Sequence, residues 1–223
     1  MNTTIDFMKR PRRNQRRDGL STRGIILEAA GQVFAERGFA EATSKEICER
    51  AEANSAAVNY YFGGKESLYE EVLVEAHRQM VSLEDLDEIL LSDIAPEDKL
   101  RAFFSRMIKT AASSSELWGI KVYMREMVSP SPFVTRAMST TVLPKADKLK
   151  ALIQEITGLP SDSPHLQRAT GFVVIPCISM IMFPESLRLI VLPETAGVSE
   201  GMLEDMLAYT LGGLKALSEA VGT

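Results

Sequence analysis

The 223-residue chain carries a net charge of -5, is 45% hydrophobic, and has only two cysteines, Cys48 and Cys177, about 130 positions apart and without partners at metal-ligand spacing. That composition builds a core without disulfide staples, excludes a disulfide framework or a zinc site, and fits a reducing cytoplasm. The apolar run Phe172 to Phe183 is short for a bilayer span and the N-terminus has no apolar signal core, so the reading is a cytoplasmic protein with no membrane partner.

The charge is uneven along the chain. Residues 1–17 hold Lys9, Arg10, Arg12, Arg13, Arg16 and Arg17 against the single Asp6, a net +5 that leaves -10 for the remainder. We read residues 1–19 as a basic flexible arm before an acidic body. From Ser21 the pattern is helical, with Ile26, Ala29, Ala30, Val33 and Phe34 on one face, and Gly38 ends the helix. Thr43 and Ser44 cap a two-turn helix whose inward residues are Ile47, Cys48 and Ala51. After the link Glu52-Ala53-Asn54 comes a third brief helix from Ser55 to about Tyr61, closed by Gly63-Gly64, and a fourth starts near Lys65. Two short helices joined by a tight turn, roofed by a longer one, have the layout of a helix-turn-helix.

The stretch GIILEAAGQVFAERGFAEATSKEICERAEANSAAVNYYFGGKESLYEEV, residues 24–72, closely resembles the DNA-binding domain of the TetR (tetracycline repressor) family. The likeness lies in the Ala29–Phe39 pattern, Thr43, Ile47 and Ala51, and in Tyr60-Tyr61-Phe62 followed by Lys65, Leu68 and Tyr69. Glu52 departs from it, because the family commonly has glycine in the turn. The resemblance implies a third helix entering the major groove. Its contacting positions are Ser44, Lys45, Asn54, Ser55, Ala56, Ala57, Asn59, Tyr60, Tyr61 and Lys65, with Thr43 positioning the backbone. The chemistry agrees: Asn59 suits an adenine edge, Ala56 and Ala57 suit thymine methyls, and Lys65 suits a phosphate. Val58 and Phe62 are expected in the core. Residues 20–65 balance five basic against six acidic side chains, so on a polyanion the unit needs the arm, whose Arg10, Arg12, Arg13, Arg16 and Arg17 can enter a minor groove or neutralise phosphates.

Residues 66–223 read as further helices, five to seven in all, without alternating strands. Pro96 suits the first turn of one that continues through Leu100, Phe103, Phe104, Met107 and Ile108; Leu117–Val128 is another; Ser131-Pro132 starts a third, which Pro144 is expected to kink or break. Two long apolar helices, 164–182 and 199–220, end the chain, and a homodimer formed through them would bury faces a monomer leaves open. The fold class is therefore all-α: a three-helix helix-turn-helix domain and a larger C-terminal bundle for ligand binding and dimerisation.

Methionines and aromatics concentrate in that bundle, and the resemblance implies an effector pocket at its centre. The candidate lining residues are Phe103, Phe104, Met107, Trp118, Tyr123, Met124, Met127 and Phe172, suited to a small apolar or amphipathic effector, with Arg125 and Glu126 as candidate polar anchors. The segment from Tyr123 through Pro144 also resembles the CecR-type branch of TetR-like regulators. No cofactor is expected, His77 and His165 are isolated, and no phosphate loop or metal cluster appears, which argues against an enzyme. The function expected is a ligand-responsive repressor on a palindromic double-stranded operator. Its rivals are a sequence-independent architectural DNA binder and a helical small-molecule carrier.

Overall fold

The computed structural model describes residues 21–197 and 200–221, and the basic arm therefore lies outside the described residues. Among these are twelve α-helices: α1 (Thr22–Glu41), α2 (Ser44–Arg50), α3 (Ala57–Phe62), α4 (Lys65–Met80), α5 (Leu83–Leu90), α6 (Pro96–Ala112), α7 (Trp118–Val128), α8 (Val134–Ala137), α9 (Leu143–Thr157), α10 (Pro164–Met182), α11 (Glu185–Val191) and α12 (Glu200–Val221). No strand occurs among the described residues.

Local chemistry sets most of the boundaries. Ser21 and Thr43 accept hydrogen bonds from the backbone N–H groups of Gly24 and Glu46, and so cap α1 and α2. Gly38, at φ 76°, breaks the helical path of α1, and Gly63, at φ 78°, closes α3 in the left-handed conformation. Ser82 and Asp85 form a reciprocal capping box on α5, and Pro96 sits in the first turn of α6, where its missing N–H costs nothing.

Pro144 does not break its helix. A π-helical turn, Met138–Val142, joins α8 to α9, so Pro144 falls in the first turn of a fresh α-helical register. The hydroxyls of Thr140 and Thr141 donate to the carbonyls of Arg136 and Ala137 as the path widens. Two features of the C-terminal end escaped the sequence pattern: Pro176 lies inside α10, and the short α11 separates the two long helices. By length and composition alone α10 could cross a membrane, contrary to the reading from residues 172–183. In this fold it packs against α6, α9 and α12.

The apolar interior falls into two clusters. The larger is built by α6, α9, α10 and α12 around Leu100, Phe103, Phe104, Ile153, Leu166 and Cys177. The smaller joins the three N-terminal helices to Leu68, Tyr69, Val72 and Leu73 of α4 and, from further along the chain, to Trp118, Val122 and Ala137. A line drawn at residue 65 therefore does not separate the cores, because α4 and α7 carry side chains into the smaller, N-terminal one. Gly31 shows how close α1 and α7 come: a Cβ there would lie 2.4 Å from the Trp118 indole.

Candidate nucleic-acid interface

The helix-turn-helix is set by the turn between α2 and α3. The N–H of Ala53 donates to the Cys48 carbonyl at 2.9 Å and that of Glu52 to Glu49 at 3.1 Å, the paired bonds of a Schellman motif. Glu52 occupies its left-handed position, at φ 52°, the only described non-glycine with positive φ. The departure at this position leaves the turn geometry intact and costs strain instead. Glu52→Gly should stabilise the protein by about 1 kcal/mol and raise its melting temperature by about 2–4 °C; a fall in thermal unfolding would show that the glutamate side chain contributes something the turn needs.

Thr43, Lys45, Asn54, Ser55, Ala56, Asn59, Tyr60 and Tyr61 are exposed, with Ser44 half-buried beside them. Tyr60 is 81% exposed and stands edge-on to Tyr61, which is 38% exposed, ring centroids 4.8 Å apart. Val58 and Phe62 face the core as expected.

Three positions differ from expectation in detail. Ala57 is buried, because the helix begins at Ala57 and turns its first residue inward, which removes it from thymine-methyl contact. Asn54 spends its side-chain oxygen on the Ala56 N–H at 2.8 Å, an Asx turn that starts α3 and leaves its amide donors outward. Lys65 donates to the carbonyls of Phe39 and Ala42, both at 2.9 Å, and its ammonium lies over the Phe39 ring, so it chiefly ties the start of α4 to the end of α1.

Most cations of this unit are already engaged. Arg50 makes a two-pronged pair with Glu36, which lowers the carboxyl pKa chiefly through the hydrogen bond; Arg37 pairs with Glu46, and Arg23 with Glu71. Lys45, 80% exposed and 3.8 Å from Glu49, is the cation that projects furthest into solvent.

The helices behind this surface are joined by directed polar contacts. The Tyr69 hydroxyl of α4 donates to Glu126 Oε1 of α7 at 2.7 Å, and Glu126 Oε2 accepts the Ser131 N–H at 2.8 Å. Burial and this bond raise the Tyr69 pKa, keeping the phenol protonated. Arg125 donates to the carbonyls of Ala35 and Glu36 at the end of α1, and Trp118 Nε1 donates to Glu28 at 2.9 Å. Arg125 and Glu126 are thus interhelical fasteners rather than effector anchors.

The eight candidate lining residues do not meet in one cavity. Phe103, Phe104 and Met107 are fully packed into the larger core, with Met124 against its edge. Trp118 belongs to the smaller core, and Tyr123 is buried edge-on to His77. Met127 lines a shallow apolar groove with Ile175, Ile178 and Phe183, while Phe172 lies in a separate trough of about 860 Å³ between α10 and α12, opposite Tyr209. Helical spacing turned most of them inward, and a dry core is built from the same side chains as a pocket wall.

Comparisons with known proteins agree with this architecture. Residues 26–72 match the bacterial regulatory proteins of the tetR family, and residues 96–214 match the C-terminal domain of the HTH-type transcriptional dual regulator CecR. The chain belongs to the TetR family of DNA-binding transcriptional regulators, with a CecR-type C-terminal domain, and is not an enzyme. It is 24% identical over 136 residues to the probable HTH-type transcriptional regulator YttP of Bacillus subtilis (strain 168), covering 61% of this chain and 65% of that protein. It is 36% identical over 80 residues to the HTH-type transcriptional repressor NicS of Pseudomonas putida (strain KT2440), covering 36% and 37%. The matched region thus spans under two thirds of either relative. In fold, it resembles the fatty acid degradation regulator FadR of Bacillus halodurans (TM-score 0.62, 17% identity, 85% of this chain and 97% of that one). It likewise resembles the ketosteroid transcriptional regulator KstR2 of Mycobacterium tuberculosis (TM-score 0.58, 19% identity, 86% and 94%).

Proposed function

We propose that the protein is a cytoplasmic, ligand-responsive repressor that binds a palindromic operator as a homodimer. The observation that carries this is the α3 surface: Asn59, Tyr60 and Tyr61 stand exposed on a helix whose opposite side, through Val58 and Phe62, is locked into the core. Asn59 and Ala56 read base edges, Thr43, Ser44, Lys45 and Tyr61 hold the backbone, and the arginines of the arm supply the charge that the folded unit has tied up internally. The trough between α10 and α12, with Phe172 68% and Tyr209 87% exposed beside it, supports pairing of these helices across a two-fold axis.

A gel-shift titration at defined salt, against the intergenic DNA beside the protein's own gene and scrambled DNA of equal composition, tests this. Preference for the first by about a thousandfold is the result expected of a specific regulator. Equal binding would favour an architectural binder, and no binding at low salt would leave a helical carrier. Removing residues 1–17 should flatten the salt dependence by about one unit of slope per lost phosphate contact.

A further inference from the structure

Arg188 of α11 is only 3% exposed. Its Nη1 donates to the Thr195 carbonyl at 2.7 Å, yet Nε and Nη2 have no hydrogen-bond partner, and Arg188 forms no ion pair among the described residues. Those two nitrogens form one edge of the guanidinium, the fork that matches a carboxylate in a two-pronged pair. A buried guanidinium without a counter-charge is costly, and evolution can replace it readily with an apolar residue of similar size. Its presence in the apolar segment ESLRLIV calls for a partner from outside the fold.

Arg188 also forms part of the wall of an open pocket of about 500 Å³ bordered by α10, α11, α12 and the loop after α11. The remainder is mostly apolar, built by Pro176, Met180, Phe183, Leu192, Met202 and Met206. Glu194 and Asp205 also line it but are exposed, where solvent screens their repulsion of an anion held at Arg188. We infer that this pocket binds an amphipathic monocarboxylate, its apolar part lying against the α10 and α12 side chains and its head group paired with the Nε and Nη2 edge of Arg188, which α11 must shift to expose because both nitrogens are sealed from water in the ligand-free fold. The size suits a ligand of modest length, and the three methionines give the wall the adaptability to admit one. None of the sequence-derived lining residues touches this pocket, and its place between the two long helices would let occupancy bear on the dimer face. That last consequence rests on the proposed ligand-responsive function; the site itself does not.

Isothermal titration of the full chain, without DNA, with sodium decanoate and separately with decan-1-ol tests the site. The expected result is saturable decanoate binding that weakens about tenfold or more in Arg188→Met, while the alcohol binds more weakly than the acid to the parent and no more weakly to the variant. Arg188→Lys, which keeps the charge but loses the fork, should fall between. No decanoate binding by the parent, equal binding of acid and alcohol, or unchanged acid binding by Arg188→Met would overturn it. So would a variant that changes only the sedimentation mass, because Arg188 would then serve a second copy of the chain. If decanoate binds through Arg188 and operator affinity stays constant, the site stands and the ligand-responsive reading of it fails.

Discussion

Replacing Glu126 by alanine should lower the melting temperature by about 6–12 °C, the equivalent of about 3 kcal/mol for a chain of this size. Glu126 is 5% exposed and accepts from both the Tyr69 hydroxyl and the Ser131 N–H, so its removal leaves a buried phenol and a part-buried N–H without acceptors. Tyr69→Phe removes one donor and fills nearly the same space, and its cost should be about 1 kcal/mol. The double variant should lose less than the sum of the two, because the orphaned phenol that makes Glu126→Ala costly is then absent. Thermal unfolding of the four proteins completes the cycle. Strict additivity would show that the bond contributes nothing to the joint between α4 and α7. The consequence extends to function: α4 leads directly from α3, so a slack α4–α7 joint would weaken any influence of the C-terminal bundle on the groove-reading helix.

The sequence made the helix-turn-helix legible because its boundaries are local. A cap at Thr43, a left-handed glycine at Gly63 and the inward spacing of Ile47, Cys48 and Val58 each depend on residues within a turn or two. The C-terminal half was legible only as far as periodicity reaches. Spacing placed Phe103 and Phe104 on an inward face, but it carries no information about whether that face meets another helix or a cavity. Lys65 looked like a phosphate contact because its true acceptors, Phe39 and Ala42, lie more than twenty positions earlier in the chain. Pro176 and α11 were missed for a related reason: an apolar run with a proline in it fits helix and turn equally well until its neighbours are known. Arg188 left a trace only as the lone cation in an apolar segment; arginine is an exposed residue by type, so nothing in the sequence alone marks this one as buried.

Acidification should loosen the anchor at the far end of α4, and His77 is the group that sets the range. Lys145 of α9, 5% exposed, reaches back to His77 Nδ1 at 2.8 Å and to the carbonyls of His77 and Val81, fastening the last turn of α4 to α9. Because the ammonium donates, Nδ1 must be unprotonated. Burial, and secondarily the charge of Lys145, push the His77 pKa down from 6.5 to about 4. The unfolded chain therefore takes up this proton near pH 6.5 and the folded protein only near pH 4, so stability is full above 6.5 and declines as pH falls through that window, by about 3 kcal/mol. Lys145 follows the same sign at the alkaline end: burial lowers its pKa from 10.5 to about 8, so between those values stability rises with pH. His77→Gln keeps an acceptor for Lys145 without a titrating ring. Urea unfolding of both proteins from pH 7 to pH 4 should show the parent losing the additional stability and the variant lacking that component, with the carboxylates common to both cancelling in the difference. Parallel curves would mean that His77 titrates alike in the folded and unfolded chains, and that the Lys145 anchor does not depend on its neutrality.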